Sequence, residues 1–272
     1  MTRIDRRALF ASGAAAALLT ATGVSAAPKR GGQLRAALSG SKRDDIWLAT
    51  GSGLMMQAAT SAVHEGLTEI AADGTLRGRI AKTWVGQDAG RVWTFDLEEN
   101  VVFHDGSALS AQDVAYSLKD LGRIESRGLQ ITLTLETPDL SLPYKLAGPD
   151  YLIRAEGRPG VGTGFYRLHK FDAGRHFIGD RVDTHWRADA AGWFDRIEFV
   201  HFADDAVRAQ ALAEGLVDVA EGVKMTDVPN MHRLPDDSDV MQIARYSVGL
   251  PAQVGRIWPL DNLRMAERWW RA

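Results

Sequence analysis

Between residues 92 and 118 the chain passes from strand-like to helix-like apolar spacing across a single turn, and this constrains the fold more than any other feature. Trp93, Phe95 and Leu97 follow Val92 and alternate with Thr94 and Asp96, as a half-buried strand requires. Phe103-His104-Asp105-Gly106 then reads as a tight turn: glycine supplies a positive φ, and aspartate can accept a hydrogen bond from the backbone two residues on. Ser110 is placed to cap a helix, with Asp113 three residues later to reach back to the cap and to favour the positive helix end. Val114, Ser117, Leu118 and Leu121 then fall on one helical stripe. A strand, a turn and a capped helix in close succession predict a mixed α/β fold. Adjacent residues in a turn cannot orient one another, so His104 and Asp105 read as turn residues and not as an acid/base pair.

The first residues predict the compartment. Arg6-Arg7 precedes a weakly apolar, alanine-rich run, and Val24-Ser25-Ala26 offers the small residues of a cleavage site. Residues 1–26 therefore read as a twin-arginine signal peptide, with Asp5 where a serine or threonine is more usual. The run is too short, and too interrupted by glycine and threonine, for a membrane span. The sequence contains no cysteine, so neither a lipid-attachment site nor a disulfide is available. A mature protein of residues 27–272, free in an oxidising periplasm and held by its core alone, is the expectation. Arg3, Arg6 and Arg7 leave with Asp5, making the net charge of −3 more negative by two; mild acidity argues against nucleic acid.

Several segments together resemble the family 5 extracytoplasmic solute-binding proteins, the peptide- and nickel-binding components of ABC importers. The stretch from Trp93 through the Phe103-His104-Asp105-Gly106 turn to Asp113 is similar to that family's wording. So are Gly31-Gly32-Gln33-Leu34 before a first strand, Glu65-Gly66-Leu67 with His64 where an aromatic is usual, Ile80-Ala81 with Trp84, and Leu142-Pro143-Tyr144. Gly162-Thr163-Gly164-Phe165-Tyr166 resembles the family's Gly-Thr-Gly-Pro-Tyr, departing from it at Phe165. Both glycines read as a close backbone approach at a strand start, because a phosphate loop would open a helix and the next segment here is another strand. Residues 193–200 read as a strand, 204–212 as a helix opened by Asp204, and 215–221 as a glycine turn and strand.

The resemblance implies a periplasmic-binding-protein lobe of type II, with a mixed sheet flanked by helices. It implies a function without chemistry: binding a peptide or similar small solute and delivering it to an ABC permease and its ATPase. The connections at 118–131 and 146–162 are shorter than usual for the family, which implies a trimmed subdomain. Pro259 to Arg264 looks like the lead into a second lobe, almost all of which this sequence lacks; half a cleft would remain. Ligands of open α/β sheets gather at strand ends, so the candidate ligand residues are Lys42 and Arg43 for a carboxylate, with Trp47, Met55 and Met56 as apolar cover. The competing reading makes the basic pair a solvated loop, and Trp47 and the methionines core.

Of the seven histidines only His169 and His176 have close spacing, and they would have to sit on neighbouring strands to share a metal. Asp236-Asp237-Ser238-Asp239 lacks the ligand ladder and closing glutamate of a calcium loop. No cofactor is expected, and no nucleophile motif suggests a hydrolase. Residues 260–271 read as a helix, with Leu260, Leu263, Ala266 and Trp270 on one face, that folds over apolar surface or serves as an interaction helix. The alternative function is a periplasmic interaction or scaffold protein that kept the lobe and lost the pocket.

Overall fold

The computed structural model describes residues 30–49, 53–70, 75–188, 192, 194–222, 231–233 and 248–251. The signal segment, the acidic stretch at 236–239 and the helix expected at 260–271 lie outside the described residues. The architecture is mixed α/β, as the sequence predicts, and no helix among the described residues is long and apolar enough to cross a membrane.

The first strand, β1 (Gln33–Leu38), belongs to the larger of two main sheets and is followed by α1 (Leu54–Val63), which packs against that sheet. After the short hairpin of β2 (Thr68–Ile70) and β3 (Leu76–Gly78) come β4 (Ala81–Gln87), β5 (Val92–Leu97) and α2 (Ala111–Leu118). Next are β6 (Gly122–Arg127), β7 (Gln130–Leu135) and the single turn α3 (Leu142–Lys145). The chain then returns to the larger sheet with β8 (Tyr166–Asp172), β9 (His176–Arg181), β10 (Arg196–His201), α4 (Asp205–Ala213) and β11 (Val219–Glu221). Two backbone segments, β12 (Met231–Arg233) and β13 (Val248–Pro251), complete it.

The larger sheet runs β12-β13-β11-β1-β10-β9-β8, with β1 parallel to both β10 and β11 and the remaining pairs antiparallel. Its centre is covered on both faces, and β1 shows why. Leu34, Ala36 and Leu38 project into a core with Met55, Ala59, Val63, Phe177 and Phe199, whereas Ala37 packs with Ala209 and Leu212 of α4. Opposite faces by alternation is what a strand geometry dictates. The smaller sheet runs β4-β5-β7-β6, all antiparallel, and has a separate core in which Phe95, Leu97, Ile131 and Leu133 meet Val114 and Leu118 of α2.

The strand, turn and capped helix of residues 92–118 fold locally as read. Trp93, Phe95 and Leu97 are buried on β5, and Gly106 has φ +85°. Ser110 and Asp113 form a reciprocal capping box at the start of α2. Among the elements the sequence reading did not assign is β6, inside the short 118–131 connection, which pairs with β7 over its whole length. It carries Arg123, Glu125 and Arg127, charges suited to the exposed edge of a sheet, and so lacks an apolar signature.

Candidate functional site

The carboxyl end of β1 enters a loop of residues 41–49 through a backbone-to-backbone contact. A Cβ on Gly40 would stand 2.5 Å from the Leu54 nitrogen, and one on Gly53 would stand 2.1 Å from the Gly40 oxygen. Only glycine allows both, and the contact closes the loop at its base. Within it, Asp45 Oδ2 accepts hydrogen bonds from the Ser41 hydroxyl at 2.9 Å and the Lys42 backbone N–H at 2.5 Å. Ser41 Oγ in turn accepts from the backbone N–H of Gly174, tying the loop to the β8–β9 turn. Leu48 takes the left-handed φ of +63°, and the Arg154 guanidinium donates to its carbonyl at 3.0 Å.

Of the candidate ligand residues, Lys42 and Arg43 stand exposed on this loop, and Ile46 beside them is 72 % exposed. Trp47 is half buried: its ring stacks on Phe177 at 5.9 Å between centroids, and its indole N–H donates to His64 Nε2 at 3.1 Å. Met55 and Met56 are corrected to interior residues, both fully buried, because α1 is enclosed on most of its faces and their helical spacing turns them inward. The loop thus brings together Lys42, Arg43 and one edge of Trp47, and the methionines stay behind them.

His64 sits at the root of this arrangement. An indole nitrogen can only donate, so His64 Nε2 is the acceptor and Nδ1 carries the proton, donated to the Ile153 carbonyl at 3.1 Å. Burial holds its pKa down at about 3, with His104 and Arg154 pushing the same way against the Ile153 bond. The ring is therefore neutral throughout the physiological range.

Glu65, beside it, is completely buried and takes Arg79 Nε at 2.8 Å and the Trp186 indole N–H at 3.2 Å. Burial alone would raise its pKa, but the Arg79 charge and a contribution from His185 outweigh it and hold the carboxyl at about 2. Arg79 also approaches Glu69, whose carboxylate is gripped bidentately by Arg187 at 3.0 and 2.7 Å. Gly66 lies against the Leu146 carbonyl, and Leu67 is buried in the smaller core with Trp84 at its margin.

The turn residues reach across to the same place. The backbone N–H of His104 donates to the Gly162 carbonyl at 2.9 Å, and its ring Nε2 donates to the Gly164 carbonyl at 2.8 Å. A Cβ on Gly162 would meet the Val63 oxygen at 1.9 Å, and one on Gly164 the Ala62 oxygen at 2.5 Å, which is the close approach expected of these glycines. Thr163 is buried with its carbonyl accepting from His185, and Tyr166 is sealed in the larger core. Asp105 bonds both the N–H and the hydroxyl of Ser107 and pairs with Arg158; these contacts hold its pKa at about 2, the Ser107 bonds most strongly. His104 and Asp105 thus each serve a different partner and make no acid/base pair.

His169 and His176 do sit on the neighbouring strands β8 and β9, but each binds its own carboxylate, Asp180 at 2.7 Å and Glu198 at 2.6 Å. Among the described residues no group of three or more His, Asp or Glu side chains is arranged to hold a metal ion.

The family model for bacterial extracellular solute-binding proteins, family 5, matches residues 75–130 and 124–262. The chain belongs to this family. It is 25 % identical over 237 residues to the nickel-binding periplasmic protein of Escherichia coli K12, covering 76 % of this chain and 43 % of that protein. The periplasmic oligopeptide-binding protein OppA of the same organism is 31 % identical over 123 residues, covering 43 % of this chain and 22 % of its own length. Among solved structures, the binding protein AgaA from A. tumefaciens R10, in complex with agropinic acid, superposes with a TM-score of 0.67 at 24 % identity, covering 75 % of this chain and 48 % of its own. The ABC transporter-associated periplasmic binding protein DppA of Helicobacter pylori, with a bound peptide, gives 0.64 at 19 % identity, covering 76 % of this chain and 51 % of its own. These structures fix the fold as a periplasmic-binding-protein lobe of type II. The family 5 chain spans about half the length of the relatives it matches. Its family is one of substrate-binding proteins, not of enzymes.

Proposed function

We propose that this family 5 protein is the periplasmic solute-binding component of an ABC importer, holding a short peptide or similar small solute without chemistry and presenting it to a permease and its ATPase. The observation that carries the reading is the braced 41–49 loop at the carboxyl end of β1. It displays Lys42, Arg43 and Ile46 to solvent and keeps Trp47 pinned behind them. Strand ends of this kind are where open α/β sheets gather ligands. A cationic pair suits a peptide carboxylate, and Ile46 with the Trp47 edge suits an apolar side chain. The kinship with nickel-binding and oligopeptide-binding periplasmic proteins supports the same class of cargo. Residues 1–26, in this reading, direct export by the twin-arginine route.

A thermal-shift and calorimetric screen of the protein against short peptides and metal chelates tests the proposal. Saturable stabilisation, weakened about tenfold or more by the double replacement Lys42→Ala and Arg43→Ala, is the expected result. No stabilisation by any solute would overturn it and leave the scaffold reading in its place.

A further inference from the structure

Strand β6 is one edge of the smaller sheet, and its pairing with β7 shows which of its backbone groups face outward. The two strands are joined by the two-residue loop Gly128-Leu129, with Gly128 at φ +63°, so Arg127 and Gln130 close it as a hydrogen-bonded pair. Bonded and non-bonded pairs alternate from there along an antiparallel ladder. Arg123 and Glu125 therefore bond to β7, whereas Gly122, Ile124 and Ser126 turn their N–H and C=O groups away from it. A separate bond fixes the same phase. Leu135, opposite Gly122, donates its N–H at 2.8 Å to the carbonyl of Arg91, which precedes β5 on the other side of β7. Among the described residues nothing bonds the outward groups of Gly122, Ile124 and Ser126. Only Lys119, Asp120 and Leu121 separate α2 from β6, a connection too short to run back along the edge.

An open edge of this kind is a template for another strand unless its side chains forbid pairing. Ile124 packs on the smaller core, and Arg123, Glu125 and Arg127 share the opposite, exposed face. Uniform charge there would repel a second copy, but these signs alternate. Two copies can add antiparallel about a twofold axis, and the outward phase places that axis at a residue. At Arg123 or Glu125 the axis sets like charges face to face. At Ser126 it leaves Ile124 opposite Gly128 of the loop. At Ile124 every requirement is met together. Each Arg123 stands opposite Glu125 of the other copy, in the non-bonded pairs whose side chains approach most closely. Ile124 pairs with Ile124, Gly122 pairs with Ser126, and all the outward groups of the strand find partners.

We propose that β6 is a self-association edge, where a second copy of this chain adds antiparallel about Ile124 and joins the two smaller sheets into one. The contact is one strand wide, so the dimer is weak and reversible. It shares no residue with the 41–49 loop.

Sedimentation velocity of the full chain at concentrations up to roughly 1 mM tests the assignment, and a reversible monomer–dimer equilibrium is expected. Glu125→Arg sets arginine against arginine and should raise the dimer Kd about tenfold or more. Adding Arg123→Glu restores opposite charges in the Ile124 register and should bring the Kd back to within about threefold of the parent. Ser126→Pro deletes one outward N–H and should also weaken the dimer about tenfold or more. That N–H makes no bond within one copy, so the melting temperature of the dilute monomer should be unchanged, which separates lost association from lost fold. A chain that stays monomeric throughout, as when another segment of the same chain occupies the edge, would overturn the proposal. A dimer indifferent to Glu125→Arg and Ser126→Pro would overturn it by placing the contact elsewhere. Failure of the charge exchange to recover the dimer would overturn the register. Solute binding that depends on Lys42 and Arg43 is read separately, so either reading can fail alone.

Discussion

Acidification from pH 7 to pH 5 should destabilise this protein through His64, and replacing that residue should remove the effect. The folded ring is held neutral, with a pKa near 3 against an ordinary value of 6.5, because it is buried and its Nε2 must accept from Trp47. The unfolded chain takes up a proton as pH falls through 6.5, and the folded chain does not. Stability contributed by the neutral ring is thus fully present above 6.5 and is lost progressively as pH falls from 6.5 toward 3. Integrating one proton at 1.36 kcal/mol per pH unit over this window gives a loss of about 2 kcal/mol between pH 7 and pH 5. That corresponds to about 4–8 °C in melting temperature for a chain of this size. Glu65 does not share the window: its carboxyl is held at about 2, below the ordinary 4.5, so its contribution is present above 4.5 and lost only as pH falls on toward 2. His104 is shifted in the same direction as His64 and contributes in both proteins, so the comparison with a variant isolates the one ring. Urea denaturation of the parent and of His64→Phe at both pH values is the assay. The variant should start less stable, having lost two hydrogen bonds, but its change between pH 7 and pH 5 should be smaller by about 2 kcal/mol. Equal pH dependence in the two proteins would refute the assignment of a neutral, buried His64.

Glu65→Gln should leave the buried Arg79 guanidinium with no ionic partner nearer than Glu69 at 3.9 Å and lower stability by about 3–5 kcal/mol, measured as a fall in the urea midpoint. A loss under about 1 kcal/mol would mean that the pair is as weak as a surface salt bridge. Two alanine substitutions at glycine should differ sharply. Gly162→Ala would drive a Cβ to 1.9 Å from the Val63 carbonyl oxygen and should prevent native folding, whereas Gly106→Ala meets nothing within 4 Å and incurs only the left-handed backbone penalty, about 1–2 kcal/mol. Similar losses at the two positions, by thermal melting, would contradict the close approach.

The local parts of this fold were legible because each carries its own signal within a few residues. The β5 alternation, the Asp105-Gly106 turn and the Ser110–Asp113 capping box were all readable from neighbours in sequence. Strand β6 was not, since an edge strand with charges at alternate positions offers no apolar period. Nor could helical spacing distinguish a methionine facing a ligand from one facing the core at Met55 and Met56, because burial of α1 is decided by what packs around it. The ionic cluster was hidden for a different reason: Glu65 meets Trp186, and Glu69 meets Arg187, across separations of 121 and 118 residues. Pairings at such range leave no periodic trace. The signal that could have directed attention there was the presence of two glutamates, Glu65 and Glu69, flanking an apolar segment expected to be buried.

The segments that mark the family share one location, where the two cores meet. His64, Glu65 and Gly66 leave α1 of the larger core and enter the smaller one. The Ile153 N–H donates to the Glu65 carbonyl, and Gly66 rests on the Leu146 carbonyl. His104, at the end of the smaller unit, bonds the carbonyls of Gly162 and Gly164, while Gly164 donates to the Val63 carbonyl and leads into Tyr166 of the larger core. The two cores are thus joined along a seam of backbone contacts too tight for any side chain and of buried hydrogen bonds. A substitution there must satisfy both constraints together, which restricts the seam to a few residue types. The 41–49 loop faces neither constraint at Lys42, Arg43 and Ile46, whose side chains point to solvent, so it can change with the solute. Trp47, through its bond to His64, and Leu48, through the Arg154 guanidinium on its carbonyl, tie the two, so the seam sets the position of the proposed binding loop.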